Sequence, residues 1–464
     1  MRRIDHAEAS SRFIRARDHI EFHDKRLWDL RKKRDRESEA LPEWQELRAL
    51  ASAIKEHTLT HLADYLEEFE RQATANGAHV HWAKDAAEHN QQVFELLHAH
   101  QAKTLVKSKS MLTEECDMRR YLEARGITVV ETDLGERIQQ LDDEPPSHIV
   151  VPAVHKLRRD VAAVFGRTLG TDPANHDVRY LAESQRETTR PYFLRAEAGM
   201  IGANFAVAST GAIVVCTNEG NADLCMSLPP LVIASVGIEK LIPRLEDLAV
   251  FIRMLSRNAL GSPITQFTSH LRAPRPGAQL HIVLVDNGRA ERLGMQDFWY
   301  SLKCIRCGAC MNTCPVYRRS GGLSYGATYS GPIGVIIDPT FDLRKYSTLP
   351  FASTLNGSCT NVCPVKINIH EQIYKWRRII SERQQLPMVK KEAMKIAGRI
   401  MASPRLYRAA MSATGAGLEY LPHFLVYNRL NAWGKQRELP QVPPRTFRQW
   451  YLANRLKRRA GKRK

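Results

Sequence analysis

The residues Cys304-Ile-Arg-Cys307-Gly-Ala-Cys310-Met-Asn-Thr-Cys314-Pro315 carry four thiols at spacings suited to iron–sulfur chemistry. Two-residue gaps set Cys304, Cys307 and Cys310 around one concave loop, as three corners of an iron–sulfur cube require. In two-cluster ferredoxins the fourth cysteine of such a run, here Cys314, ligates the other cluster. A shorter copy follows at Cys359-Thr-Asn-Val-Cys363-Pro364. Exchange of the last cysteine between the copies assigns Cys304, Cys307, Cys310 and Cys363 to one 4Fe-4S cluster, a complete ligand set. A structural zinc site also uses Cys-x2-Cys, but it needs only four ligands and no proline after the last. Two redox centres without an obvious substrate pocket beside them point to electron transfer.

The second copy departs from the pattern. A full repeat would set cysteines at 353, 356, 359 and 363, whereas the chain has Ser353, Asn356, Cys359 and Cys363. Cys314 and Cys359 remain for a second 4Fe-4S cluster, two thiolates for a cube that takes four. A neutral amide or hydroxyl is a harder donor than a thiolate and a poor soft-metal ligand. The second cluster is therefore absent, labile, or completed by an oxygen ligand or a partner's residue.

Other constellations are weaker. His79-Val-His81 and His98-Ala-His100 have metal-like spacing, but no carboxylate or cysteine accompanies them, so surface or core histidines are expected. His155-Lys156 and Thr217-Asn-Glu-Gly-Asn221 follow candidate strands, and in open α/β sheets ligands bind beyond the carboxyl ends of strands. His155 and Glu219 are thus the candidate catalytic groups, set against a reading as hydrogen-bonded turns. Trp299 and Tyr300 are expected either to cover the cluster against water or to pack in the core.

The elements that must hold these groups follow from the rest of the chain. Its 464 residues suggest two or three domains, and 43 % hydrophobic with 25 % charged residues is ordinary for a globular protein. Residues 1–55 read as a helical, largely exposed extension. From 56 to 292 short apolar runs alternate with helical stretches, which implies a mainly parallel, mixed sheet covered on both faces. The candidate strands are 79–82, 104–107, 128–131, 148–152, 205–209, 212–216, 230–236 and 281–286. Helices are expected over 83–100 and 111–125. The run Ser209-Thr-Gly-Ala212 reads as a hairpin turn. Residues 293–384 hold the cysteine motifs, with a helix over 370–380. Residues 385–464 read as helical and basic, with a linker at Pro440-Gln-Val-Pro-Pro444. No Gly-x-Gly-x-x-Gly or P-loop pattern supports a nucleotide fold.

Six of the nine cysteines lie in the two motifs. The others, Cys116, Cys216 and Cys225, read as small buried hydrophobes, the latter two at strand ends. Cluster thiolates need a reducing compartment. The N-terminus lacks the apolar core of a signal peptide, and no apolar stretch is long enough to span a membrane. A cytoplasmic protein is expected, or one peripheral to the inner face of the membrane. The net charge is +18, and much of the excess sits in the tail Arg455–Lys464. That tail fits a solvated end, an acidic partner, an anionic membrane surface or nucleic acid, though no folded reader motif supports the last.

The chain resembles the lactate utilization protein B family. The resemblance is carried by Glu131-Thr-Asp-Leu-Gly-Glu136, His148-Ile-Val-Val-Pro-Ala-Val-His155-Lys156, Thr210-Gly-Ala, Thr217–Asn221, residues 304–322, Tyr329-Ser-Gly-Pro-Ile-Gly334 and Leu349-Pro-Phe-Ala-Ser353. It implies an α/β domain akin to the ribose-phosphate isomerase and CoA-transferase fold, followed by an α-helical ferredoxin-type domain with two 4Fe-4S centres. It implies two partners, a cysteine-rich redox-domain subunit and a second α/β lactate-utilization subunit. Asn356 stands where the resemblance implies a cysteine ligand. The expected function is an iron–sulfur electron-transfer subunit of a system that oxidises L-lactate to pyruvate. The alternatives are a self-sufficient hydroxy-acid dehydrogenase acting around His155 and Glu219, and a redox-sensing nucleic-acid binder.

Overall fold

The computed structural model describes residues 3–383, 388–427, 442–443 and 445–461. Ten strands order the α/β part: β1 (His79–Ala83), β2 (Thr104–Lys107), β3 (Thr128–Glu131), β4 (Ala198–Gly202), β5 (Phe205–Val207), β6 (Ala212–Thr217), β7 (Leu231–Gly237), β8 (Leu241–Ile242), β9 (Phe267–Leu271) and β10 (Gln279–Val285). Six of them form an all-parallel sheet in the order β1-β10-β7-β4-β2-β3. Its central strand β7, Leu-Val-Ile-Ala-Ser-Val-Gly, is buried along its whole length. A parallel strand covered on both faces needs such a near-continuous apolar run, and the sequence supplies it. Leu62, Leu66 and Phe69 of helix Leu62–Ala75 cover one face, and Val93, Leu97, Met118 and Leu122 the other.

Chain order reverses inside this sheet. From β2 the chain moves outward to β3, then returns to β4 on the other side of β2. Such a switch point opens a crevice beyond the carboxyl ends of the strands. Gly199 of β4 belongs to this packing, because a Cβ there would stand 1.8 Å from the Cys225 carbonyl oxygen of helix Asn221–Ser227.

The expected antiparallel part is real but forms a second sheet, in the order β8-β5-β6-β9. β5 and β6 pair antiparallel across a turn at Ala208–Thr210, which Gly211 closes at φ +64. Three expectations are corrected. Residues 148–152 are not a strand: the Val150 and Val151 amides donate to His148 Nδ1, while the Pro152 carbonyl accepts from Ser147 and Gln139. Their backbone groups are satisfied locally, so no ladder forms. Cys225 sits within a helix rather than at a strand end. The stretch 111–125 breaks at Asp117, in the left-handed region at φ +49, into two short helices.

Residues 1–55 are helical as expected, but they are no exposed extension. Helices Arg17–Glu39 and Trp44–Thr60 bury His23, Leu27, Arg34, Trp44, Ala51 and Lys55. Charged residues here cover the backbone of other elements, a role that composition does not reveal.

Residues 1–383 form one compact unit and 384–464 another. The second unit contains helices Met388–Ala402, Pro404–Tyr420 and Phe447–Gly461. Its apolar side chains Met388, Val389, Met394, Met401, Phe447 and Trp450 are exposed. Most of the linker at 440–444 and the last three residues of the basic tail lie outside the described residues. No helix among the described residues is long and apolar enough to cross a membrane.

Candidate iron–sulfur centre and the adjoining cavity

The two cysteine motifs fold as two copies of one loop, 49 residues apart. Arg306 and Gly308 adopt φ +59 and +74; Leu355 and Gly357 adopt +56 and +77. A short helix follows each, Ala309–Thr313 and Ser358–Val362. Each ends on an extended cysteine, Cys314 or Cys363, with proline next. The left-handed turn aims backbone N–H groups inward. Arg306 N–H donates to Cys304 Sγ at 3.4 Å, Ala309 N–H to Cys307, and Ile367 N–H to Cys363 Sγ at 3.3 Å. Tyr317 N–H donates to Cys314 Sγ at 3.5 Å.

The fourth cysteine beside the first three comes from the second motif. Cys304, Cys307, Cys310 and Cys363 line one small cavity with Ile149, Ile305, Ile333 and Val365. Cys314 does not line it and lies within electrostatic reach of Cys359. Burial pushes the Cys307 and Cys310 thiols well up, Cys363 to about 11 and Cys359 to about 12. Four thiolates packed this closely in an apolar wall need positive charge among them. An iron cluster supplies that charge, and the N–H donors suit its sulfurs, so the residues present fit a 4Fe-4S group.

In the second loop oxygen atoms take the places of two sulfurs. Ser353 Oγ accepts from Leu355 N–H at 3.1 Å, as Cys304 Sγ accepts from Arg306. Asn356 Oδ1 accepts from Ser358 N–H at 3.0 Å, as Cys307 accepts from Ala309. The fold of the loop persists because these side-chain oxygens make the turn's hydrogen bonds themselves.

Elements distant in sequence enclose the site. Arg48 donates twice to the Cys363 carbonyl, at 2.8 and 3.1 Å, and Arg34 donates to the Val362 carbonyl at 3.2 Å. Arg31 reaches Thr313, which itself meets Ser358 across the two short helices. The segment after the α/β sheet's third strand clasps the first loop. His148 Nε2 lies 3.0 Å from Asn312 Oδ1, and burial lowers this imidazole to about 3, so it is neutral. Tyr317 Oη donates to the Ser147 carbonyl at 2.6 Å. Trp299 and Tyr300 do not line the cysteine cavity; they pack on each other, with Tyr300 over Lys303.

A much larger cavity, about 540 Å³, lies at the switch point of the parallel sheet. It is walled by the turns after β2 and β4 and by Gly237 at the end of β7. Glu219 lines it and His155 does not. The His155 ring is held between Ser147 Oγ at 2.8 Å and Glu144 Oε2 at 3.1 Å. The two candidate catalytic residues are therefore not brought together. Partial burial and the neighbouring Asp133 push the Glu219 carboxyl up to about 7. Lys240 and Arg306 also line this cavity. Neither was singled out from the sequence: Lys240 follows a strand like many lysines, and Arg306 sits inside a motif whose cysteines drew the attention.

The histidine pairs have a different outcome. His79 and His81 of β1 meet His281 of β10, with His81 Nε2 3.0 Å from His281 Nδ1, and His100 joins them. Among the described residues no group of three or more His, Cys, Asp or Glu side chains is arranged to hold a single metal ion.

Fold and site together define an iron–sulfur protein in which a ferredoxin-type double loop is built onto an α/β domain. Comparison with known proteins agrees. Residues 66–291 match the LUD domain, 300–367 the 4Fe-4S dicluster domain, and 376–455 the C-terminal region of lactate utilisation protein B. The lactate utilization protein B of Geobacillus thermodenitrificans is 44 % identical over 426 residues, covering 89 % of both chains. That of Geobacillus kaustophilus is 43 % identical over the same span, and that of Shouchella clausii 40 % over 433 residues. A solved DUF162 family protein of Deinococcus radiodurans aligns with 48 % of this chain and 98 % of its own at 12 % identity and TM-score 0.27, a likeness too weak to argue from. The chain belongs to the lactate utilization protein B family, and it binds 4Fe-4S iron–sulfur.

The raised carboxyl of Glu219 predicts a pH signature. Its ordinary value of 4.5 holds in the unfolded chain, and the folded value is about 7. Above pH 4.5 the unfolded chain is freed of this proton while the folded chain still binds it, so stability falls between these values and levels off above 7. Glu219→Gln should gain stability relative to the parent as pH rises from 5 to 8, read from denaturant midpoints. A midpoint difference that is the same at both pH values contradicts this account of Glu219.

Proposed function

We propose that this chain carries electrons for the oxidation of lactate through one 4Fe-4S cluster held by Cys304, Cys307, Cys310 and Cys363. The observation behind this ligand set is that these four thiols, drawn from both motifs, line one cavity. A 4Fe-4S cluster, when bound, takes up and releases single electrons. The chain's own residues set its surroundings. Ile149, Ile305, Ile333 and Val365 keep the site apolar, while N–H groups of Arg306, Ala309, Val365 and Ile367 aim at its sulfurs. Donors to sulfur and the exclusion of water are levers on a cluster's potential.

The second loop is read as a degenerate copy. Cys314 and Cys359 lie within electrostatic reach of each other there, with Ser353 and Asn356 in the two remaining positions and already hydrogen-bonded to their own turn. An oxygen engaged in that way is a poor substitute for a thiolate. The chain then holds about four iron atoms rather than eight.

Hydride acceptance from a hydroxy acid asks for a cofactor such as a flavin or nicotinamide, and the sequence carries no fingerprint for either. The reading therefore includes partner subunits, one with a cysteine-rich redox domain and one with a related α/β domain, in a reducing cytoplasm. The relatives' names, which speak of lactate utilisation, favour this over a lone dehydrogenase or a nucleic-acid binder.

Iron analysis of anaerobically purified protein should give about four atoms per chain, and Cys307→Ser should abolish the EPR signal of the reduced cluster. Asn356→Cys should raise iron content above that of the parent. About eight irons in the parent, or an unchanged spectrum in Cys307→Ser, contradicts the assignment. The isolated chain should not oxidise L-lactate with an artificial acceptor; turnover at enzymatic rates without partners removes the carrier reading.

A further inference from the structure

The cavity at the switch point has no part in holding the cluster, yet it has the features of a ligand site. Its volume, about 540 Å³, falls within the range of cofactor and drug-sized pockets. A three-carbon acid would fill only a small part of it. Its lining includes the apolar side chains of Ile138, Ile149, Leu255 and Leu260. Six cationic side chains line it, Arg26, Lys109, Lys156, Lys240, Arg289 and Arg306, against three carboxylates.

Three of these cations are already paired. Lys109 is held by Asp133 and the Val150 carbonyl, Lys156 by Asp142 and Glu144, and Arg289 by Glu115 and Glu239. Two are not saturated. Lys240 has no hydrogen bond or ion pair among the described residues, although Glu239, Arg306 and Cys304 lie within electrostatic reach. The guanidinium of Arg306 stacks 4.3 Å over Tyr329 and places Nη2 3.5 Å from Glu239, while its buried Nη1 has no partner. A buried cationic donor without an acceptor is costly, and an anion in the cavity would relieve that cost. Arg306 also stands between Cys304 and Cys307 and lines the cysteine cavity, so the two sites share a wall.

We propose that this cavity binds an organic anion of cofactor size, its apolar body against lining side chains such as Ile138 and Leu255 and its carboxylate or phosphate on Lys240 beside Arg306. The anionic group is gripped by side chains rather than by a glycine-rich backbone loop, which is why no nucleotide fingerprint accompanies the site. Lys240, Ile138 and Leu255 come from the α/β part of the chain, so this site can be tested separately from the cluster although Arg306 lines both.

The test is calorimetric titration of the anaerobic, iron-loaded full chain with flavin mononucleotide, sodium pyruvate and inorganic phosphate as probes. Saturable binding of flavin mononucleotide, weakened at least tenfold by Lys240→Met, supports the proposal with a phosphate as the anchoring group. Binding of pyruvate alone with the same dependence on Lys240 upholds the anion site but overturns its cofactor size. Binding that ignores Lys240, or no saturable binding by any probe, overturns the proposal. Should Lys240→Met fail to fold, protection of Lys240 from reductive methylation by the bound probe, read by mass spectrometry, serves in its place; equal labelling with and without probe counts against it. Iron content and the EPR spectrum of Lys240→Met should match the parent, so a failure of this site is distinguishable from a failure of the cluster assignment.

Discussion

Thiols brought together in a protein interior impose one constraint before any other. They repel each other once ionised, and burial drives their protons back on. Iron resolves the conflict, but only if the cage is rigid and dry. The left-handed turns at Arg306–Gly308 and Leu355–Gly357, the two short helices behind them, and the prolines that follow supply the rigidity. The N-terminal helices and the clasp around Ser147 and His148 supply the enclosure. The α/β domain is thereby tied to the cluster region through many specific bonds, and residues 1–383 behave as one compact unit.

The second loop separates a fold from its chemistry. It has the backbone of a cluster loop with oxygens at two of the sulfur positions, because a hydroxyl and an amide oxygen accept the same N–H bonds. What is lost is the soft donor, not the turn. The cross-linked pair of loops still needs both copies, since Cys363 of the second completes the cavity of the first.

The sequence made some of this legible and concealed the rest. Cysteine spacing grouped the four thiols that line one cavity, and the apolar runs of β2, β7 and β10 revealed a parallel sheet, because both patterns are local and periodic. The run 148–152 misled, since valines in a row read as a strand unless one knows that His148 takes up their amides. β4, Ala-Gly-Met-Ile-Gly, went unseen because two glycines dilute its pattern, and Gly199 is required by the close approach of Cys225. The charged first 55 residues looked solvated, yet Arg34 and Arg48 spend their charge on carbonyls around Cys363. Glu219 was found at a pocket by the rule of strand ends, while His155, chosen by the same rule, turned out to be held by Ser147 and Glu144. Lys240 carries no signal that sequence alone could separate from an ordinary surface lysine.

The central claim is that one cluster draws ligands from both loops and the second loop holds none. Anomalous diffraction at the iron edge from anaerobically grown crystals addresses it directly. The account predicts one compact iron peak per chain, bounded by Cys304, Cys307, Cys310 and Cys363. A second peak of equal weight between Cys314 and Cys359, with Ser353 or Asn356 in contact, would contradict it.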